Sequence, residues 1–140
     1  MHFDAVIQPR YGETDQMGVV YHANYLNWFE VGRSNFLRQL GYTYRELEAE
    51  GVLLPVIEAH LKYIKPALYD VEVLVRTEIE VLKGVRIGFR YRVLRKEDEE
   101  LLVEGTTLHA FTNKDLKPVR IKSLPETFRE TVKKAYGEPT

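Results

Sequence analysis

An α+β fold, one long helix against an antiparallel sheet, is what this 140-residue sequence predicts, and three observations carry the prediction. Apolar and aromatic residues recur at helical spacing over one long early segment. Beyond Val52 the pattern changes to alternation with a period of two, clearest at 71–81 and 87–93. No internal repeat, low-complexity tract or Gly/Ser linker interrupts the chain, so residues 1–140 read as one domain.

The first strand is expected at about residues 3–10. A helix follows at about 22–40 and stops at Gly41, a residue that accepts the left-handed backbone closing many helices. Asn27, Glu30, Ser34 and Arg38 gather on one side of it, and Tyr25, Phe29, Gly32, Phe36 and Leu40 on the other. Leu26, Trp28 and Leu37 widen the apolar surface, so the aromatic side should lie on a broad sheet, with Gly32 allowing close approach. A short helix at about 44–50 closes at Gly51.

Consecutive antiparallel strands are then expected at about 53–65, 69–82, 85–96, 100–112 and 117–121, before a last helix at about 125–136. Val71, Val73, Val75, Thr77, Ile79 and Val81 share one strand face, and Ile87, Phe89, Tyr91 and Val93 share one face of the next. A three-residue loop, Leu82-Lys83-Gly84, matches these faces by setting Val81 against Val85 and Ile79 against Ile87. A two-residue loop would break that match. The same register places Glu80 opposite Arg86 on the other face.

Lys and Arg number 20 and Asp and Glu 21, a net charge of -1, which gives no bulk electrostatic reason for a nucleic-acid or anionic-membrane partner. The absence of cysteine removes disulfides, thiolate ligands and thiol nucleophiles. The start lacks the basic-then-apolar pattern of a signal peptide, and no segment is apolar for long enough to span a bilayer, so a cytoplasmic protein is expected. His2, His60 and His109 stand at no short metal-ligand spacing, and no metal site is expected. Arg86, Arg90, Arg92, Arg95, Lys96, Lys62 and Lys65 could attract phosphates, but their spacing defines no phosphate cradle and suits a solvated face.

The chemistry concentrates in residues 13–30, where Asp15 stands in a turn just ahead of the aromatic-rich helix. A carboxylate facing helix N-terminal amides suits acyl transfer, because those amides receive the negative charge that develops on an attacked carbonyl. Asp is common as a cap or turn residue before helices, which is the plainer reading of Asp15 taken alone.

Thr14-Asp15-x-x-Gly18-Val19-Val20-Tyr21-His22-Ala23-Asn24-Tyr25, followed by Trp28-Phe29-Glu30, resembles the 4-hydroxybenzoyl-CoA thioesterase family, in particular its bacterial Tol-Pal-associated, short acyl-CoA thioesterase branch. The segments Lys62-Tyr63-Ile64-Lys65-Pro66-Ala67, Tyr69-Asp70 and Leu124-Pro125-Glu126 extend the likeness over nearly the whole chain. The resemblance implies a hotdog fold, a long helix wrapped by a curved antiparallel sheet, with subunits paired edge to edge as homodimers or homotetramers. It also implies an acyl-CoA thioesterase needing no cofactor, coenzyme A being part of the substrate.

On that resemblance Asp15 is the nucleophile or the general base, and the amide of His22, seven residues on, polarises the thioester carbonyl. The His22 imidazole would position substrate, orient Asp15 or assist the leaving thiolate. Tyr25 is expected to shape the site or bond within it, and Asn24 to do the same or to satisfy free helix amides. Two other readings stand beside this one: a hotdog hydratase or dehydratase acting through His22, and a non-catalytic acyl-thioester binding or scaffold protein.

Overall fold

Alternating apolar residues commit the second half of the chain to strands, and the computed structural model, which describes residues 1–137, joins them with the first strand into one five-stranded antiparallel sheet. The elements run β1 (His2–Ile7), a 3-10 turn at Tyr11–Glu13, α1 (Asn24–Gln39), α2 (Tyr44–Ala49), β2 (Val56–Tyr63), β3 (Val73–Lys83), β4 (Arg86–Arg95), β5 (Leu101–Ala110) and α3 (Glu126–Tyr136). The sheet order is β1-β3-β4-β5-β2, so consecutive pairing holds for β3, β4 and β5 while β2 crosses to the far edge beside β5. Its link back to β3 passes the acid-bearing turn: Val20 N donates to Ala67 O at 2.9 Å and Tyr69 N to Gly18 O at 3.2 Å.

The β3–β4 hairpin differs from the sequence expectation. Lys83 pairs with Arg86 across a two-residue turn, Gly84-Val85, and Gly84 takes the positive φ of 65° that this turn asks of it. The apolar faces still meet, because the register shifts between Ile79 and Val81 and leaves Glu80 as a bulged extra residue. Ile79 therefore faces Phe89, Val81 faces Gly88, and Leu82 rather than Val81 turns into the core. Arg86 lies opposite Lys83, not Glu80.

Residues 117–121 form no strand. Thr112 makes single bridges to Leu53 and Pro118, and a 3-10 turn follows at Ile121–Ser123. Pro118 has no N–H to give a ladder, which explains why the apolar alternation there does not extend into pairing.

Helix α1 buries Tyr25, Trp28, Phe29, Gly32, Arg33, Phe36 and Leu37. Phe29 stacks on Tyr91 of β4 with ring centres 4.3 Å apart and planes 5° from parallel, and Phe36 meets Phe3 and Phe89 edge-on. Leu26, expected to widen the apolar face, is exposed instead. At the other end of the core Phe128 of α3 packs against Tyr42 and Phe111, and α3 stops at Gly137 in the left-handed region, φ 106°. Among the described residues strand β2 has one paired edge and one open edge, and Val56, Ile57 and Tyr63 are exposed along it.

Candidate active site

The motif folds as a stitched turn that brings its two ends together. Thr14 and Val20 form a bridge, Asp15 N donates to Val19 O at 2.9 Å, and Tyr21 N donates to Glu13 O at 2.8 Å. Gly18, at φ 77°, makes the reversal between them. The acid and the start of α1 are thus held on neighbouring strands of one short loop.

Asp15 is half-buried and holds its own turn. Its Oδ1 accepts from the amides of Met17, at 2.8 Å, and Val19, at 3.4 Å, the geometry of an Asx turn. The plainer sequence reading of Asp15 as a turn residue therefore describes one of its oxygens. Among the described residues Oδ2 has no hydrogen-bond partner and remains available for chemistry.

The regular part of α1 begins at Asn24, two residues later than expected, but helical backbone starts sooner. Ala23 is already at φ -67°, ψ -21°, and the bonds Asn24 N to Tyr21 O (3.0 Å) and Tyr25 N to His22 O (3.4 Å) close a tight first turn. The amides of His22 and Ala23 consequently open the helix, and among the described residues neither has a hydrogen-bond partner. Unpaired N–H groups at the positive end of a 16-residue helix attract a developing oxyanion.

A cleft of about 220 Å³ lies against this helix start, lined by Val20, His22, Tyr25, Tyr63, Ile64, Lys65 and Pro66. His22 and Tyr25 meet there. Asp15 stands beside the cleft, joined to its wall through Val19 and Val20, and is not one of the lining residues. The His22 imidazole is exposed, packed on the Tyr21 ring at 4.3 Å and edge-on to Tyr63 at 6.4 Å. Tyr25 is buried: its hydroxyl accepts from Ala67 N at 3.1 Å, and burial raises its pKa against the pull of that N–H. Asn24 donates its side-chain amide to Glu13 O at 2.9 Å and so serves the turn.

Three residues of this neighbourhood gave no functional signal in the periodicity. Tyr63 donates its hydroxyl to His22 O at 3.3 Å, tying the end of β2 to the helix start; only its place in the 62–67 segment hinted at it. Glu13 accepts from the Trp28 indole at 2.8 Å and from the Arg10 amide at 2.9 Å. Burial opposes ionisation of Glu13, but the Arg10 amide, the indole and the Arg10 charge outweigh it and hold the carboxyl below its ordinary value. Trp28, read as core, is indeed buried, but its N–H does separate work.

The basic residues that could attract phosphates are mostly paired with neighbouring acids. Lys65 pairs with Glu100, Arg95 with Glu100 at 2.7 Å and Asp98 at 3.0 Å, Lys96 with Glu72 at 3.8 Å, and Arg90 with Glu78 at 3.9 Å. Among the described residues no group of three His, Asp or Glu side chains is placed to hold a metal ion, and no helix is long and apolar enough to cross a membrane.

Comparison with known proteins gives a consistent result. The family model described as "Thioesterase-like superfamily" matches residues 9–132. The Bacillus subtilis (strain 168) protein named "Putative acyl-CoA thioesterase YneP" is 40% identical over 122 residues, covering 86% of this chain and 88% of that one. Among solved structures, a hypothetical protein TT1821 from Thermus thermophilus superposes with a TM-score of 0.86 at 37% identity, covering 96% of this chain and 98% of its own. DHNA-CoA thioesterase from Staphylococcus aureus superposes with a TM-score of 0.88 at 33% identity, covering 95% and 89%. The long helix on a five-stranded antiparallel sheet is the hotdog fold.

Proposed function

The chain belongs to the thioesterase-like superfamily, and from that premise we propose that it hydrolyses acyl-CoA thioesters to a carboxylic acid and free coenzyme A, with Asp15 as the acting carboxylate and the His22 amide as donor to the carbonyl oxygen. That it is a thioester hydrolase follows from the family. One observation supports the residue assignment above the others: among the described residues neither Asp15 Oδ2 nor the His22 N–H has a hydrogen-bond partner, and the Asp15 turn is stitched to the wall of the cleft that His22 lines.

With the thioester oxygen at the His22 amide, either a water deprotonated by Asp15 or the Asp15 carboxylate itself adds to the carbonyl carbon. Charge moves onto the oxygen at the helix start, where it is stabilised. Collapse expels the thiolate, which takes up a proton to leave as free coenzyme A. On the direct route a mixed anhydride with Asp15 remains, and water then cleaves it to the acid. Tyr25 forms a wall of the acyl site, Asn24 holds the turn, and the exposed His22 imidazole at the cleft positions the substrate.

The open edge of β2, with Val56 53% and Ile57 46% exposed, fits pairing with a second copy, so the working form is at least a homodimer with sites at the subunit boundary. The reaction as drawn takes no cofactor and sits in the cytoplasm. The test is thiol release from a panel of acetyl-, butyryl-, longer-chain and aromatic CoA thioesters by wild type, Asp15→Asn and His22→Ala. Asp15→Asn, which keeps the Oδ1 bonds of the turn, should lose about 100-fold or more in kcat. Unchanged activity eliminates the assignment, and water addition to an enoyl-CoA without thiol release points to a hydratase.

A further inference from the structure

We propose that Glu13 is a positioning residue for Asp15, locking the acid-bearing turn to helix α1 so that Asp15 and the His22 amide keep one fixed relation. The inference rests on the catalytic reading of Asp15 and adds to it. Glu13 stands two residues before the acid and bonds to both halves of the site. Its carbonyl accepts from Tyr21 N at 2.8 Å, the residue adjoining His22, and from Asn24 Nδ2 at 2.9 Å. Its Oε2 accepts from Trp28 Nε1, one turn further along α1, at 2.8 Å. Its Oε1 accepts from Arg10 N at 2.9 Å and lies 3.5 Å from Arg10 Nε.

Only Thr14 separates this anchor from Asp15, and Thr14 is fixed in turn by its hydroxyl bond to Tyr11 O at 2.8 Å and its bridge to Val20. The Glu13 side chain is only 12% exposed, so water competes little for its oxygens. A carboxylate suits the position because both oxygens face N–H donors; an amide would turn a donor of its own against one of them. The fold does not need this latch, since α1 is held to the sheet by Phe29, Phe36 and Leu37. What the latch adds is the placement of Asp15, and displacement of a reacting group by about 1 Å can cost on the order of 100-fold in rate.

The test compares Glu13→Gln, Trp28→Phe and the double variant with wild type and Asp15→Asn. Because Trp28 is the sole tryptophan, its emission reports the latch without reference to catalysis. Glu13→Gln should lower kcat about 10- to 100-fold with KM within about threefold, while unfolding stays cooperative. The double variant should be little worse than the poorer single, as expected when both changes break one link. Wild-type Trp28 emission should titrate in one acid step that Glu13→Gln lacks. Unchanged kcat in Glu13→Gln while Asp15→Asn is inactive overturns the proposal, as does emission indifferent to Glu13. Full activity of Asp15→Asn instead removes the catalytic reading beneath it, an outcome separable from failure of the latch.

Discussion

Arg33 donates from Nη1 to the hydroxyl of Tyr91 at 3.0 Å, and that bond sets the direction of a buried proton chain crossing the core from α1 to the approach to β2. Having accepted from Arg33, Tyr91 donates to Thr107 Oγ1 at 2.7 Å, and Thr107 donates to His109 Nε2 at 2.8 Å. His109 Nδ1 lies 3.0 Å from Leu54 O, which can only accept, so the ring carries its proton on Nδ1. Tyr44 accepts a second bond from Arg33 Nε at 2.7 Å. The guanidinium is thus buried on phenols, with no carboxylate within ion-pair distance among the described residues.

Removing the central hydroxyl should therefore cost more than one ordinary hydrogen bond. Tyr91→Phe leaves Arg33 Nη1 and Thr107 Oγ1 facing a ring edge with no solvent to replace the lost partner, since Tyr91 and Thr107 are both buried. Urea unfolding should show a loss of about 1–3 kcal/mol. A loss below about 0.5 kcal/mol would mean the chain does not act as a connected network.

Acid sensitivity follows from the same chain. Burial, and then the Arg33 charge, push the His109 imidazole from 6.5 down to about 4, against a smaller upward pull from the Leu54 carbonyl. The unfolded state then binds more protons than the folded one between those values. This contribution is fully present above pH 6.5 and is lost as pH falls toward 4, about 3 kcal/mol in all. His109→Asn should flatten the pH dependence of urea stability in that window, whatever it does to stability at neutral pH. An identical slope in the variant would locate the acid sensitivity elsewhere.

The helical stripe of α1 and the inward set Ile87, Phe89, Tyr91 and Val93 were legible because each follows one period over several turns or pairs. A bulge breaks that logic by a single residue. Glu80 shifts the phase of β3 with no local sign in the sequence, and the expected three-residue loop was the price of assuming unbroken alternation. The crossing of β2 to the far edge depends on which strands neighbour each other in space, which periodicity does not encode. At the site, the turn and the helix start were readable from contiguous residues, whereas Glu13 and Trp28 meet across 15 positions.

Gly32 was expected to permit close helix–sheet approach, and the contact is tighter than any other residue allows. A Cβ there would lie 2.6 Å from Thr77 Oγ1 and 2.7 Å from Val75 Cγ1, both on stiff, buried β-branched side chains of β3. Alanine would gain about 1 kcal/mol of helix propensity but force α1 off the sheet at a cost of about 1–3 kcal/mol or more. Gly32→Ala should thus be destabilising by up to about 2 kcal/mol in thermal or urea unfolding. A stabilised variant would show that α1 has room to move.

The open edge of β2 gives the last prediction. Among the described residues strand β2 has unpaired backbone groups along one side, with Val56, Ile57, Tyr63 and Ile64 exposed beside them, a combination that invites a second strand. Tyr63 also touches the helix start through His22 O, so a copy seated on this edge would close over the cleft as it pairs. An acid at position 57 would place charge among those apolar side chains while leaving the core untouched. Ile57→Asp should weaken self-association by about 100-fold, roughly 2–3 kcal/mol, in sedimentation velocity. Thioester hydrolysis should fall in parallel with the loss of dimer and return as protein concentration is raised. A wild-type protein that is monomeric and fully active at micromolar concentration would break the link between this edge and the site.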